Sequence, residues 1–458
     1  MLKETFGLEG FVVSDANGIK ECVNHGIAED EADAGVQAAK AGLDMDMGTD
    51  IYSKYLAEKV ESGEVSMEVI DEAVKRILGV KMWLGLFDRP YVTEEAMSRY
   101  EVLPQEHLDI ALEAGKKSIV LLKNENDILP LKKDTKVSLV GTLAGSKDEV
   151  VGAWSISWRK DDCVSILDGM ENAGANFEYY PCGGTEGDLN EEEIENAIAG
   201  GDVIVAVVGE LVSMSGEASS RADITLPGRQ KELLTKLLAS GKPVVAVFMN
   251  GRPLALEWEN ENLPVLVEAW HLGVQMGNAV ASVLYGDTNP SGRLASTFPK
   301  VTGQCPIYYN HPNTGRPGSK SKFTSRYLDA GFEPLYPFGY GLSYTTYEYS
   351  NMQVEETDTQ VIASVDVENT GKAAGDETVQ LYMRDVTASI VRPVKELKGF
   401  AKVTLNPGEK KTVAISLDKA NMGFFDDDRN YRLESGKFQI FLGANSRDCQ
   451  MTEMNIQF

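Results

Sequence analysis

Two acidic residues of this sequence follow runs of apolar residues, in positions where α/β proteins place active-site groups. Asp15 ends the run 10–15, and Glu217 lies in the polar loop 210–223 that follows the apolar run 203–209. Ligands of α/β folds bind at the carboxyl ends of parallel strands. Two carboxylates that meet across a cleft can cleave a glycosidic bond, one by attacking or activating water and the other by protonating the leaving oxygen. Spacing alone supports this chemistry weakly, because acidic residues at strand ends more often cap helices or lie at the surface.

Other residues with chemical potential have ordinary structural explanations. The glycine-rich stretch 141–146 lacks the Lys-Ser/Thr ending of a phosphate-binding loop, and the sequence contains no Gly-x-Ser-x-Gly elbow. His25 and His271 fit surface or satisfied core positions better than catalytic ones. Three tryptophans could stack on a sugar, although core packing is the commoner role for each of them: Trp154, Trp158 and Trp270.

The elements that must position the acidic residues alternate between strand and helix. Short apolar runs predict buried strands, and apolar residues at helical spacing predict the helices between them. In the first 90 residues this predicts strands at 10–15 and 43–47 and helices at 29–41 and 65–83. Farther along it predicts strands at 136–141, 203–209, 243–248 and 264–267, and helices at 191–199, 230–240 and 278–285. Both stretches therefore indicate α/β folds with parallel sheets.

The last hundred residues change to an alternation of apolar and polar side chains. Val361, Ala363, Val365 and Val367 alternate with polar neighbours, and turn signals such as Asn-Pro-Gly at 406–408 separate such runs. Short alternating strands between turns predict a β-sandwich.

Composition limits the function classes. The chain has 70 acidic and 44 basic side chains, a net charge of −26, which disfavours nucleic acid and anionic membrane surfaces as partners. The five cysteines are scattered without a CxxC pair, so we expect neither a disulfide framework nor a metal site. No apolar run is long enough for a membrane helix, and the first residues lack a signal peptide's apolar core, which predicts a cytoplasmic location.

Several stretches resemble glycoside hydrolase family 3. Residues 10–15 (GFVVSD) are similar to the nucleophile strand of that family, and residues 217–227 (EASSRADITLP) resemble the acid/base loop of its bacterial β-glucosidase branch. Further similar stretches are 249–254, 286–294, 336–344 and 392–400, the last in the family's terminal fibronectin-III-like domain. The resemblance extends over essentially the whole chain.

The resemblance implies a retaining mechanism without metal or organic cofactor. Asp15 is then the nucleophile and Glu217 the acid/base, with Glu210 as a rival for the acid role. Retention requires the two carboxyl groups to lie about 5–5.5 Å apart. Ala16, Met47 and Met214 are the tentative substrate-binding residues, and Ala16 replaces an aromatic residue or histidine that the family commonly has there.

The resemblance also predicts the domain organisation. The family's nucleophile strand is the seventh of a (β/α)₈ barrel, so we expect only the last two β-α units of that barrel here. The predicted segments are a barrel remnant (1–92), a linker (93–110), an α/β sandwich domain (111–310), a second linker (311–345) and a fibronectin-III-like domain (346–458).

Two functions remain open on this basis. The first is an exo-acting β-glycosidase, most like a β-glucosidase, that acts on a small β-glucoside or oligosaccharide. The second is a catalytically silent remnant that serves as a carbohydrate-binding or assembly module. A homo-oligomer or a complementary barrel fragment is a possible partner under either function, since a two-stranded remnant leaves apolar strand edges bare.

Overall fold

A computed structural model describes residues 1–99 and 102–458, and the chain divides into two compact units. Unit 1 comprises Met1–Val102 and unit 2 comprises Leu103–Phe458. Within the described residues, no helix is both long and apolar enough to cross a bilayer.

Unit 1 is built almost entirely from helices. Their small core has two clusters, one around Ile19 and Ile51 and the other around Leu56 and Val65. Helix α2 begins where the carboxylate of Asp30 accepts a hydrogen bond from a first-turn amide, which satisfies one of the helix's unpaired N–H groups. The helices are α1 (Gly18–Asn24), α2 (Glu31–Lys40), α3 (Ile51–Glu61), α4 (Met67–Trp83) and α5 (Glu94–Ser98).

The two strands predicted in unit 1 are reduced to one pair of residues. Val13 and Met45 form an isolated parallel bridge, and the side chains of both are more than a third exposed. A pair of strands without further neighbours is marginally stable, so regular pairing does not extend from this bridge. The expectation of buried strands at 10–15 and 43–47 is therefore wrong for this unit, although the two segments do lie side by side.

Unit 2 contains a six-stranded sheet in the order β1-β6-β5-β4-β2-β3. All neighbouring strands are parallel except β1, which pairs antiparallel with β6 and was not predicted. The strands are β1 (Val120–Asn124), β2 (Val137–Val140), β3 (Phe177–Tyr180), β4 (Val203–Gly209), β5 (Val244–Met249) and β6 (Val265–Glu268). The helices are α6 (Gln105–Ser118), α7 (Ile166–Asn172), α8 (Glu191–Gly200), α9 (Gln230–Ala239), α10 (Glu257–Asn262) and α11 (Met276–Leu284).

Strand β4 shows why its sequence is a continuous apolar run. All seven of its residues are buried, and successive side chains enter different cores on the two faces of the sheet. Val205 and Val207 belong to one core, while Ile204 and Ala206 belong to the other. A strand covered on both faces has no position for a polar side chain, so the first polar group appears where the strand ends, at Glu210.

From residue 347 onward, unit 2 forms a β-sandwich of a four-stranded sheet, β10-β9-β14-β15, and a three-stranded sheet, β11-β8-β7. Val361, Ala363, Val365 and Val367 all point into the shared core, as their alternation predicted. The strands are β7 (Tyr347–Glu356), β8 (Gln360–Asn369), β9 (Gly375–Asp385), β10 (Glu396–Leu405), β11 (Lys410–Asp418), β12 (Phe424–Phe425), β13 (Tyr431–Arg432), β14 (Gly436–Gly443) and β15 (Cys449–Ile456). The predicted combination of an α/β domain with an all-β domain is confirmed.

Candidate active site

Asp15 lies in a loop that backbone and hydroxyl hydrogen bonds fix within unit 1. The N–H of Ser14 donates to the carbonyl of Met45 at 3.0 Å, and the Ser14 hydroxyl accepts from the N–H of Met47 at 2.9 Å. The N–H of Asn17 donates to the Met47 carbonyl at 2.9 Å. These bonds tie the chain on both sides of Asp15 to the segment around Met47.

The carboxylate of Asp15 is exposed at the surface of unit 1. Its Oδ1 atom accepts a 2.7 Å hydrogen bond from the N–H of Ala16. Ala16 and Met47 are also exposed, and both border Gly48, whose φ of +81° lets the chain turn closely past Ala16. The structure therefore brings three of the predicted site residues together, while their catalytic and binding roles stay predictions.

A buried carboxylate that sequence reasoning did not single out supports this loop. Asp44 accepts hydrogen bonds from the N–H of Val12 and from the ammonium group of Lys3, both at 2.7 Å. Its side chain is only 3% exposed, so the ion pair with Lys3 compensates a charge that water reaches poorly.

Glu217 lies in the loop 210–227, here called the β4 loop, which follows strand β4 in unit 2. The carboxylate of Glu217 is exposed. Gly216, directly before it, has a φ of +95°, and a Cβ there would approach the Cβ of Ala153 to 2.7 Å. Glycine is therefore required where the loop turns and presents Glu217.

Glu210, the rival for the acid role, is fully buried between two arginines. Its Oε1 lies 2.5 Å from Nη1 of Arg221, and its Oε2 lies 3.1 Å from Nε of Arg252. Both carboxylate oxygens of Glu210 are therefore engaged by guanidinium groups within the fold. Glu210 is thus enclosed by the protein, while the acid/base role of Glu217 stays a prediction.

The two arginines extend this ion-pair network along the β4 loop. Nη2 of Arg252 donates to the carbonyls of Met214 and Ser219, on either side of Glu217. Nη2 of Arg221 donates to a carbonyl farther along the loop at 3.0 Å. The predicted binding residue Met214 is half-buried, and Arg252 holds its carbonyl. Its role in binding stays a prediction.

Two titratable groups lie near Glu210 at the start of the β4 loop: Glu268, which the sequence did not single out, and His271, which was expected at a surface or satisfied core position. Glu268, at the end of β6, is fully buried, and burial raises the pKa of its carboxyl well above the usual range. Burial lowers the pKa of His271, whose Nδ1 lies 2.6 Å from the carbonyl oxygen of Glu149. Burial thus favours the uncharged form of each group. The Glu149 carboxylate in turn accepts a hydrogen bond from the N–H of Val212 in the β4 loop.

The three tryptophans considered for sugar stacking have different environments. Trp154 is 72% exposed, whereas Trp158 is closer to half-buried. Trp270 packs edge-on against Phe298 at 6.0 Å, and its indole N–H donates to the carbonyl of Ser118 at 3.2 Å. Trp270 is thus a packing residue, while Trp154 is the most exposed of the three.

Three family models match successive parts of the chain. Residues 1–80 match the glycosyl hydrolase family 3 N-terminal domain, and residues 119–344 match the family 3 C-terminal domain. Residues 377–446 match a fibronectin type III-like domain.

Curated relatives agree with these matches. A periplasmic beta-glucosidase of Salmonella typhimurium is 43% identical, over 97% of this chain and 63% of the relative. A beta-xylosidase of Formosa agariphila is 36% identical, over 98% of this chain and 64% of the relative. The chain thus spans less than two thirds of the length of these relatives.

Solved structures show the same relationship. A beta-glucosidase from Listeria innocua in complex with isofagomine has a TM-score of 0.94 and 37% identity, over 99% of this chain and 65% of that chain. The Listeria enzyme has also been solved with glucose, and a mutant of it with laminaribiose. With three family models, curated relatives and solved structures all in agreement, the chain belongs to glycosyl hydrolase family 3.

Proposed function

We propose that the chain acts as a retaining, exo-acting β-glycosidase of the β-glucosidase type on terminal β-D-glucosyl residues. The observation that carries the proposal is the contrast within the β4 loop. Glu210 is buried and neutralised by two arginines, whereas Glu217 is exposed on a backbone that the same arginines fix. The similarity to beta-glucosidases adds the substrate class, a small β-glucoside or oligosaccharide.

The proposed reaction is a double displacement. Asp15 attacks the anomeric carbon and forms a glycosyl-enzyme, while Glu217 protonates the departing glycosidic oxygen. Glu217 then removes a proton from water as the water attacks the same carbon, which releases the sugar with its configuration retained. The proposed substrate-binding residues beside these groups are Ala16, Met47 and Met214. No cofactor enters these steps, because the two carboxylates supply both the nucleophile and the proton transfer.

Release of 4-nitrophenol from its β-D-glucoside tests this proposal. The assay is run with the chain alone and with a polypeptide that covers the part of the Salmonella relative which this chain does not match. We expect Asp15→Ala to lower kcat by at least about 10³-fold, and Glu217→Ala to lower it by a smaller factor, because 4-nitrophenolate departs with little help from a general acid. Turnover that survives both substitutions refutes the assignment.

A surface of unit 1 favours a second candidate function, that of an assembly module. Helix α4 has no buried residue, and an apolar groove of about 550 Å³ lies between α3 and α4, with Leu56, Ile70 and Ile77 among its lining residues. Such a surface within a soluble fold marks a contact region. This function predicts no turnover with either preparation, together with self-association or binding of the complementary polypeptide in a sedimentation experiment.

The predicted domain limits and cytoplasmic location are part of the same proposal. Limited proteolysis should cut first within 93–110 or 311–345 if these segments are linkers. Cell fractionation tests the location.

A further inference from the structure

A cavity of about 480 Å³ in unit 2 lies between the segment 297–338 and strands β9 and β14 of the β-sandwich. Its volume is within the range of small-molecule sites. None of its lining residues belongs to the β4 loop, so its role goes beyond the proposed glycosidase reaction. We call it the sandwich pocket.

Aromatic rings form much of the wall of the sandwich pocket. Tyr309 and Phe338 stack with their ring centroids 4.3 Å apart, and the Tyr309 hydroxyl accepts a 3.1 Å hydrogen bond from the N–H of Leu397. These contacts fix one side of the cavity. Tyr308 and Phe332 are 63% and 40% exposed, so their faces remain available to a flat ring.

The charge of the sandwich pocket is opposite to that of the chain as a whole. Three cationic side chains, Arg384, Lys395 and Arg447, line the cavity against a single carboxylate, Glu333. In a chain with a net charge of −26, this local excess of positive charge favours an anion.

The three cations differ in how far they are already engaged. The ammonium group of Lys395 donates to the carbonyl of Ser446 at 2.6 Å and lies 4.1 Å from the ring centroid of Phe441. Arg447 forms an ion pair with its neighbour Asp448, with 3.6 Å between Nε of the arginine and Oδ1 of the aspartate. No residue in the described part of the chain forms an ion pair or hydrogen bond with the guanidinium group of Arg384. Arg384 is thus the group with open donors.

The nature of the anion follows from what the cavity wall offers. A guanidinium group matches a carboxylate through two parallel hydrogen bonds. Protein phosphate sites usually add several backbone N–H donors, but three of the lining residues are prolines, which have none: Pro317, Pro334 and Pro337. The wall therefore fits one carboxylate better than a phosphate.

We propose that the sandwich pocket binds a small monocarboxylate carried on a ring. The carboxylate pairs with Arg384, and the ring lies against Tyr308 and Phe332. Two sources supply this chemistry, a phenolic acid and a sugar acid, because aromatic and pyranose rings both pack on aromatic side chains.

Calorimetric titration of the full chain with 4-hydroxybenzoate and with D-galacturonate tests the proposal and separates the two sources. We expect at least one acid to bind with a Kd of about 0.1–1 mM at low salt, and its neutral counterpart, 4-hydroxybenzyl alcohol or D-galactose, to bind at least tenfold more weakly. Binding of the phenolic acid alone or of the sugar acid alone identifies the source, and binding of both supports the shared chemistry.

Variants assign the binding to this pocket. Arg384→Met should weaken it at least tenfold, and Phe332→Ala should weaken it by a smaller factor. Arg432→Met, at an ion-paired surface position outside the pocket lining, should leave it unchanged. Melting curves of each variant establish that it is folded. The proposal is overturned if neither acid binds, or if a folded Arg384→Met variant binds as tightly as the unmodified chain.

Discussion

We expect Glu210→Gln to lower the stability of the protein, and Glu217→Gln to affect catalysis but not stability. Glu210→Gln removes the carboxylate that pairs with both Arg221 and Arg252, while Glu217→Gln alters an exposed side chain. Breaking a buried ion pair by removing one partner costs about 3–5 kcal/mol, because the remaining charge stays buried. The two arginine side chains are 20% and 21% exposed, so water still reaches part of each guanidinium group. We therefore expect the lower end of that range, about 3 kcal/mol.

Differential scanning calorimetry converts this cost into a measurable shift. For the predicted α/β domain of about 200 residues (111–310), 1 kcal/mol corresponds to about 2–4 °C in Tm, so Glu210→Gln should lower its transition by about 6–12 °C if that domain melts separately. Glu217→Gln serves as the matched control, because an exposed substitution changes stability by no more than about 0.5 kcal/mol. Hydrogen exchange should show faster opening of the β4 loop in Glu210→Gln alone. The reasoning fails if both variants melt together with the unmodified chain.

Three further predictions concern two buried positions, Glu268 and Gly277, and one exposed position, Gly79. Burial is the largest cause of the raised pKa of Glu268. The Glu268 carboxyl group therefore contributes its full stabilisation below the unfolded-state pKa near 4.5, and this stabilisation is lost as the pH rises toward the folded-state pKa. Urea midpoints of Glu268→Gln should consequently decline less between pH 5 and pH 8 than those of the unmodified chain, and an equal decline contradicts a buried neutral acid. At Gly277 in α11 a Cβ would lie 1.8 Å from the carbonyl oxygen of Ser165, so Gly277→Ala should cost at least about 1–3 kcal/mol. Gly79→Ala, where a Cβ in α4 meets nothing within 4 Å, should instead stabilise unit 1 by about 0.5–1 kcal/mol, as urea unfolding of each variant can establish.

Strands whose residue pattern depends on burial alone could be predicted from the sequence. The run 203–209 predicted strand β4 because a strand covered on both faces must be apolar throughout. The alternation from Val361 to Val367 predicted the inner face of β8, because a strand that is buried on one face only has an apolar side chain at every second position. The position of Glu217 beyond β4 followed from the first of these patterns.

Other features needed the fold. The strands predicted around Val13 and Met45 require hydrogen-bonded neighbours that local sequence does not supply, and they appear only as a bridge. Strand β1 pairs with β6 across more than 140 residues of chain, a long-range contact with no local signal. Helix α5 falls within the predicted linker 93–110. The Thr93 hydroxyl caps this helix by accepting a 3.1 Å hydrogen bond from the N–H of Ala96.

Sequence by itself determined the residue types of the candidate site: an acidic residue after each of two apolar runs, within motifs that resemble one family. It gave no reason within unit 2 to separate Glu210 from Glu217 except the family pattern. Tertiary structure alone decided that Glu210 is fully buried between Arg221 and Arg252 while Glu217 faces solvent. The physical reason is that burial and charge pairing depend on residues far apart in the chain, and they determine which carboxylate is open to solvent.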